Sequence, residues 1–164
     1  MQDFVDRAAG ISPHSGLYEL RRERPIFVES TQACRAAGLA PEQLNGLDTA
    51  LRTALAARMA LRTGESALAA LYRGQLPSQG ADSGLTEIAE GKTLPDDAGP
   101  RMSAILRHVD LVTDAPIGAR RSDIEALTAA GLDNPQIVAL SELIAFVAYE
   151  ARVVAGLRLM ETLP

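Results

Sequence analysis

Asp133-Asn134-Pro135-Gln136-Ile137-Val138-Ala139-Leu140-Ser141-Glu142-Leu143-Ile144-Ala145-Phe146 opens the segment that decides the fold class. A short polar residue pair ahead of a proline is a helix start, because the fixed φ of proline suits the first turn and its missing N–H is not needed there. The helix this predicts runs about 25 residues, or ~38 Å at 1.5 Å per residue. It is apolar on most sides, the pattern of a helix enclosed by its neighbours or by another subunit. Glu142, Glu150, Arg152 and Arg158 lie within it and would be costly in lipid, so it reads as a buried helix and not as a membrane span.

Upstream, Met102, Ile105, Leu106, Val109 and Val112 mark one face of an amphipathic helix that starts near Pro100 and ends before Pro116. Ser122 and Glu125 have capping-box spacing for the next helix, which stops at Gly131. Nearer the N-terminus, Leu44, Leu47, Leu51, Ala54, Leu55 and Arg58 recur at helical spacing. They predict a long helix with Pro41 in its first turn and Gly64 at its end. Glu65 to Tyr72 continues as a further helical segment, and a short helix near Leu85–Glu90 sits between loops at 74–84 and 91–100. Short helices are expected before a turn at Ser12–Gly16 and over 17–24, then one from Phe27 to Ala37 stopped by Gly38. β-branched runs of alternating polarity are absent, so the chain is expected to be all-α: a multihelical bundle with a long, apolar C-terminal helix.

The 164 residues, 47% hydrophobic and 23% charged, are enough for one packed core. The expected organisation is a single domain, with residues 1–30 as an N-terminal arm and 31–164 as the bundle. A formal net charge of −5 gives no positive field for a phosphate backbone, so nucleic acid is not an expected partner. Met1–Arg7 lacks the basic start and apolar stretch of a signal peptide, and Cys34 is the single cysteine, which fits a reducing compartment. A cytoplasmic location without membrane association is therefore expected. With one cysteine and two histidines, a metal site is not anticipated, and no cofactor is expected.

Taken together, these segments resemble the superfamily of alkylhydroperoxidase D (AhpD) and carboxymuconolactone decarboxylase (CMD). Arg101 to Val112 is similar to that group's penultimate bundle region. Asp123 to Leu159, with Ala130-Gly131-Leu132 and Ile137 to Phe146, is similar to its terminal helix pair. Ala9-Gly10-Ile11 with Leu20-Arg21-Arg22-Glu23-Arg24-Pro25 resembles a subfamily of CMD-domain proteins. The resemblance implies an AhpD-like bundle, assembly as a homo-oligomer, and descent from peroxidases.

Active members of the superfamily carry a CxxCxxxH motif after a glycine-containing turn, with a glutamate about three helical turns upstream. The motif supplies a thiolate to attack the peroxide, a second thiol to resolve it, and groups that tune both. Here Gly64-Glu65-Ser66-Ala67-Leu68-Ala69-Ala70-Leu71-Tyr72 fills the place. Glu65 and Leu68 stand where the cysteines would be, Tyr72 where the histidine would be, and Arg52 or Thr53 near the upstream acid. Two-cysteine peroxidase chemistry is excluded within one chain.

The resemblance then implies a non-redox binding or partner subunit, with a catalytically intact AhpD/CMD relative as its partner. The enzyme alternatives are a cofactor-free lyase of the decarboxylase type and a one-cysteine peroxidase using Cys34. Against the last stands the ordinary role of a lone cysteine in an alanine-rich helix, a small buried hydrophobe. His108, beside Leu106 and Val109, is a candidate general base or a structural histidine. Glu65, Arg58 and Arg62, joined by the Tyr72 hydroxyl, are candidates for a small polar pocket, or else surface ion pairs around a packed ring. A deep pocket joining Tyr72, Glu65 and His108 would favour chemistry or small-ligand binding over a purely structural role.

Overall fold

In a computed structural model, which describes residues 2–93 and 98–162, the chain is helical throughout with no strand among the described residues. The helices are α1 (Phe4–Ala9), α2 (Gly16–Arg22), α3 (Pro25–Leu39), α4 (Thr49–Arg62), α5 (Ser66–Arg73), α6 (Ser83–Ala89), α7 (Gly99–Asp114), α8 (Arg121–Ala129) and α9 (Asn134–Glu161). Short 3-10 turns cover Pro77–Gln79 and Pro116–Gly118.

Helix α4 is the axis of the bundle. Every residue from Ala50 to Ala60 is buried, and α3, α5, α6, α7 and α9 all pack on it. Five alanines in that stretch let five neighbours approach closely, since an alanine ridge keeps the space between helix axes short. Helix α9 runs along the other side of the core, in contact with α1, α3, α4, α7 and α8. It is long, 28 residues, and buries Ile137, Leu140, Leu143, Ile144, Val147, Ala151 and Val154 while Val138, Ala145, Tyr149, Leu159 and Met160 are exposed. No helix among the described residues is long and apolar enough to cross a membrane. Phe4, Val5 and Ala8 of α1 belong to the core, and α3 spans the junction at residue 30 between the expected arm and bundle.

Local signals set several boundaries. Asp133 caps α9 by accepting from the Gln136 N–H at 2.9 Å, and Pro100 sits in the first turn of α7. Gly64 and Gly131 follow their helices at φ +82° and +89°, a region that costs side-chain-bearing residues about 1–2 kcal/mol.

Three expected boundaries are corrected. Helix α3 runs through Gly38, which lies in its last turn, and ends at Leu39 because Ala40 precedes Pro41 and is pushed out of the helical region. Helix α4 starts at Thr49 and not at Pro41: Asn45 and Gly46 take positive φ values of 50° and 66°, and the Asp48 carboxylate caps the Leu51 N–H at 2.8 Å. In α8 the first N–H group is met by Asp123, which accepts from Arg120 N–H at 2.8 Å. Ser122 is inside that helix, and Glu125 instead accepts from Arg121 across one turn at 2.9 Å.

Candidate functional site

The segment from Gly64 to Tyr72 starts as a left-handed turn, and the turn fixes Glu65 at the entry of α5. Glu65 is 4% exposed, and Arg158 of α9 grips both its oxygens, Nη1 donating to Oε2 at 2.7 Å and Nη2 to Oε1 at 2.9 Å. Bidentate arginine–carboxylate pairs are the strong kind, fixed in geometry as well as charge. Leu68, one turn on, is fully buried in the core, and so is Tyr72.

Arg58 and Arg62 turn towards α7. Arg58 donates to both oxygens of Asp110 at 2.7 Å and to the Lys92 carbonyl at 2.8 Å, and Arg62 pairs with Asp114 and, at 3.4 Å, with Asp110. The residues expected to share one polar pocket are thus divided: Glu65 pairs with α9, Arg58 and Arg62 with α7. Tyr72 faces a third place. Tyr72 is fully buried, and Glu65 and His108 lie in the walls of different hollows.

Tyr72 donates its hydroxyl to Oε2 of Glu150, a fully buried carboxylate on α9. The other oxygen, Oε1, is buried without a hydrogen bond, and Arg35 Nε lies 3.8 Å from it, also unpartnered. The Arg35 guanidinium lies over the Phe4 ring, 3.5 Å from its centroid, and 5.4 Å from that of Tyr72, while Nη2 donates to Gln75 at 3.3 Å. Burial pushes the Glu150 carboxyl up, against the downward pull of the Tyr72 hydrogen bond and the Arg35 charge. Burial, and after it the Glu150 charge, hold the Tyr72 phenol well above its usual 10.0, so the tyrosine remains a donor. The group has no solvent access at Tyr72 or Glu150, and it ties α1, α3, α5 and α9 together.

A second structural cation stands on α4. Arg52 is 2% exposed and donates to the carbonyls of Leu47 at 2.7 Å, Gly38 at 2.9 Å and Leu44 at 3.0 Å. It holds the 40–48 connection against α4, which is why that segment is not helical. Burial lowers its pKa, with the distant Glu142 charge opposing. The Thr53 hydroxyl beside it is buried without a partner.

The open part of the molecule lies along α9. Ser141, Ala145, Ala148, Arg152 and Ala155 form a stripe at helical spacing, and its small side chains leave a trough between α9, α7, α8 and the Pro116–Gly118 turn. Two hollows make up the trough, about 430 Å³ and 300 Å³, and they share Val112, Pro116, Ala148 and Arg152. The larger is the size of a small-ligand pocket, lined also by His108, Ile124, Ser141, Ile144 and Ala145. The smaller reaches Glu65 and Asp114, both already neutralised by arginines.

His108 is 6% exposed, and its Nδ1 is buried with no hydrogen-bond partner. Burial lowers its pKa, with Asp123 opposing and Arg107 assisting, so the ring is neutral near pH 7. A bare lone pair without a donor costs less than an N–H without an acceptor, which places the proton on Nε2. Arg152 is exposed, and no acceptor or counter-charge meets it among the described residues. An apolar trough with one neutral donor and one uncompensated cation is built to receive an acceptor-bearing guest.

Of the other candidates, Cys34 is exposed on α3, which overturns the expectation of a buried hydrophobe: the face of α3 that carries it turns away from α4 and α9. His14 is exposed in the turn before α2, 3.7 Å from Glu19. No group of three or more histidine, cysteine or acidic residues among the described residues is arranged to hold a metal ion. Sequence reasoning singled out His108 but did not identify Arg152 in the same trough, Glu150 and Arg35 as the partners of Tyr72, or Asp110 as the partner of Arg58. No family model, curated protein or solved structure matches the chain.

Proposed function

We propose that this chain is a non-redox relative of the AhpD/CMD proteins that acts by binding a small ligand in the α7–α8–α9 trough. The observation that carries the reading is His108, more than nine-tenths buried with an unpartnered ring nitrogen, at the wall of a cleft that also holds an uncompensated arginine. The motif positions support it from the other side. Glu65, Leu68 and Tyr72 are committed to an ion pair, the core and a buried hydrogen bond, so that region serves packing instead of thiol chemistry. The exposed apolar side chains of α9 and α3 agree with homo-oligomer formation or with pairing to a catalytically intact relative.

A second reading, a cofactor-free lyase, draws on the same cleft, since a cation for a carboxylate and a nearby proton donor are what such a reaction needs. The binding reading is tested by mapping amide and histidine-ring NMR shifts of the full chain against a library of small polar and apolar fragments. Shifts gathered at His108, Ser141 and Ile144 are expected. A library that leaves these residues unmoved overturns the reading.

A further inference from the structure

We propose that the trough takes an amphipathic carboxylate, with its anionic end held by Arg152 and its apolar end against Ile124 and Ile144, where His108 also lines the wall. The inference rests on the binding reading above and adds the class of ligand. Three features of the site give it.

The first is charge. In a chain of net charge −5, most arginines are matched: Arg21, Arg22, Arg35, Arg58, Arg62, Arg107, Arg121 and Arg158 to carboxylates, Arg52 and Arg101 to carbonyl oxygens. Arg152 has none of these among the described residues, a state it shares with Arg7, Arg24 and Arg73, but it alone is a charged side chain common to both hollows. The larger hollow has no acidic residue in its wall, and Asp123, whose charge reaches His108, is paired with Arg107. The guanidinium fork matches a carboxylate with two parallel hydrogen bonds.

The second is the donor set. With Nδ1 buried and empty, His108 offers the cleft one N–H, and the Ser141 hydroxyl already donates to the Ile137 carbonyl at 2.8 Å. The site therefore supplies donors and a positive charge, which selects acceptors over amines and ammonium groups.

The third is shape. Ile144 and Arg152 are two turns apart on α9, ~12 Å along its axis, with Ala148 between them. Ile124, itself 39% exposed, faces this stretch from α8. A ligand that reaches from the cation to the isoleucines covers apolar surface for most of its length, while a compact anion such as acetate would reach only one end.

The test uses the full chain and three amphiphiles of equal length, octanoate, octan-1-ol and octylamine, titrated while His108 ring and isoleucine methyl resonances are followed. Octanoate is expected to move His108, Ile124 and Ile144 together, and to bind at least tenfold more tightly than the alcohol or the amine. Arg152→Gln, a change at an exposed position, is expected to weaken octanoate about tenfold, whereas Arg121→Gln on the outside of α8 leaves it unchanged. Equal binding of the three amphiphiles, or full octanoate affinity in Arg152→Gln, overturns the carboxylate inference while the cleft remains a binding site. No movement at the trough with any of the three, together with a silent fragment library, overturns both.

Discussion

Removing the Tyr72 hydroxyl is the sharpest probe of what holds the bundle together. Tyr72→Phe keeps the ring that packs 5.2 Å from Phe4 and deletes only the donor to Glu150. Glu150 is fully buried, and its other oxygen already lacks a hydrogen bond. After the substitution both oxygens depend on Arg35, whose Nε is 3.8 Å away, beyond hydrogen-bonding distance. A hydrogen bond to a buried charged group contributes about 1.5–3 kcal/mol, and loss of a partner leaves the charge uncompensated. The expected cost is therefore about 2–3 kcal/mol in urea unfolding at pH 7.

The pH dependence carries the same logic with a fixed sign. Burial raises the Glu150 carboxyl above its usual 4.5, so the folded chain holds that proton more tightly than the unfolded chain. The ionised form is a burden that the folded state sheds as pH falls through the raised value. Tyr72 pulls that value down, so Tyr72→Phe raises it further, and the penalty of the substitution shrinks as acid neutralises Glu150. Glu150→Gln removes this part of the pH dependence, and combined with Tyr72→Phe it should reveal a coupling of about 1 kcal/mol, since a charge-assisted hydrogen bond is about twice as strong as a neutral one. A Tyr72→Phe chain within 0.5 kcal/mol of the parent at pH 7, or one whose penalty is the same at pH 4 and pH 7, would refute the account.

Arg52→Met is expected to cost about 3–5 kcal/mol, because it abandons three backbone carbonyls that a buried cation now satisfies; hydrogen exchange should accelerate first in residues 40–48, and unchanged protection there would contradict the clamp. Burial depresses the His108 pKa below 6.5, so the unfolded chain takes up that proton first and stability is lost as pH falls below 6.5. His108→Leu should flatten that part of the stability–pH curve, and an unaltered slope would show that the ring is solvated. Cys34, exposed and without a hydrogen-bond or ion-pair partner, should react completely with a thiol reagent in the native chain, yet be oxidised by an organic hydroperoxide no faster than in the unfolded chain. Faster oxidation in the native state would instead support one-cysteine peroxidase chemistry.

Where the sequence was legible, the determinants were local. Gly64, Gly131, Pro100 and Asp133 each act within one turn of the residue that carries the signal, so their helices end or begin where spacing places them. The start of α4 was misread because its cause is tertiary: Arg52 reaches back to Gly38 and Leu44 and keeps the chain between them out of the helix. The Tyr72–Glu150 bond joins positions 78 residues apart, and no local pattern pairs them. A signal existed on each side. Leu143, Val147, Glu150 and Val154 fall on one helical face, which marks Glu150 as a carboxylate turned inward. His108 likewise shares a face with Ile105, Val109 and Val112. Arg152 carried no such mark, because a charged residue on an exposed stripe looks ordinary until the trough beside it is seen.

The proposed kinship and the observed packing bear on one another through α5. Thiol chemistry of the CxxC type needs a first cysteine that is reachable and held as a thiolate by nearby positive charge. In this chain the first position, Glu65, is itself the anion that Arg158 neutralises, and the second, Leu68, has no exposure at all. A cysteine at residue 68 would be surrounded by core side chains, where burial raises a thiol's pKa and keeps it inert. A cysteine at residue 65 would strand Arg158 without its carboxylate. On the proposed kinship, the difference from the redox motif would therefore be more than two missing sulfur atoms. Tyr72 and Glu65 bind α5 to α9 at both its ends, by one hydrogen bond to Glu150 and one ion pair to Arg158. Those contacts fix α9, and a fixed α9 is what holds the small-residue stripe of the trough, with Arg152 between the two anchored carboxylate contacts, open to a ligand.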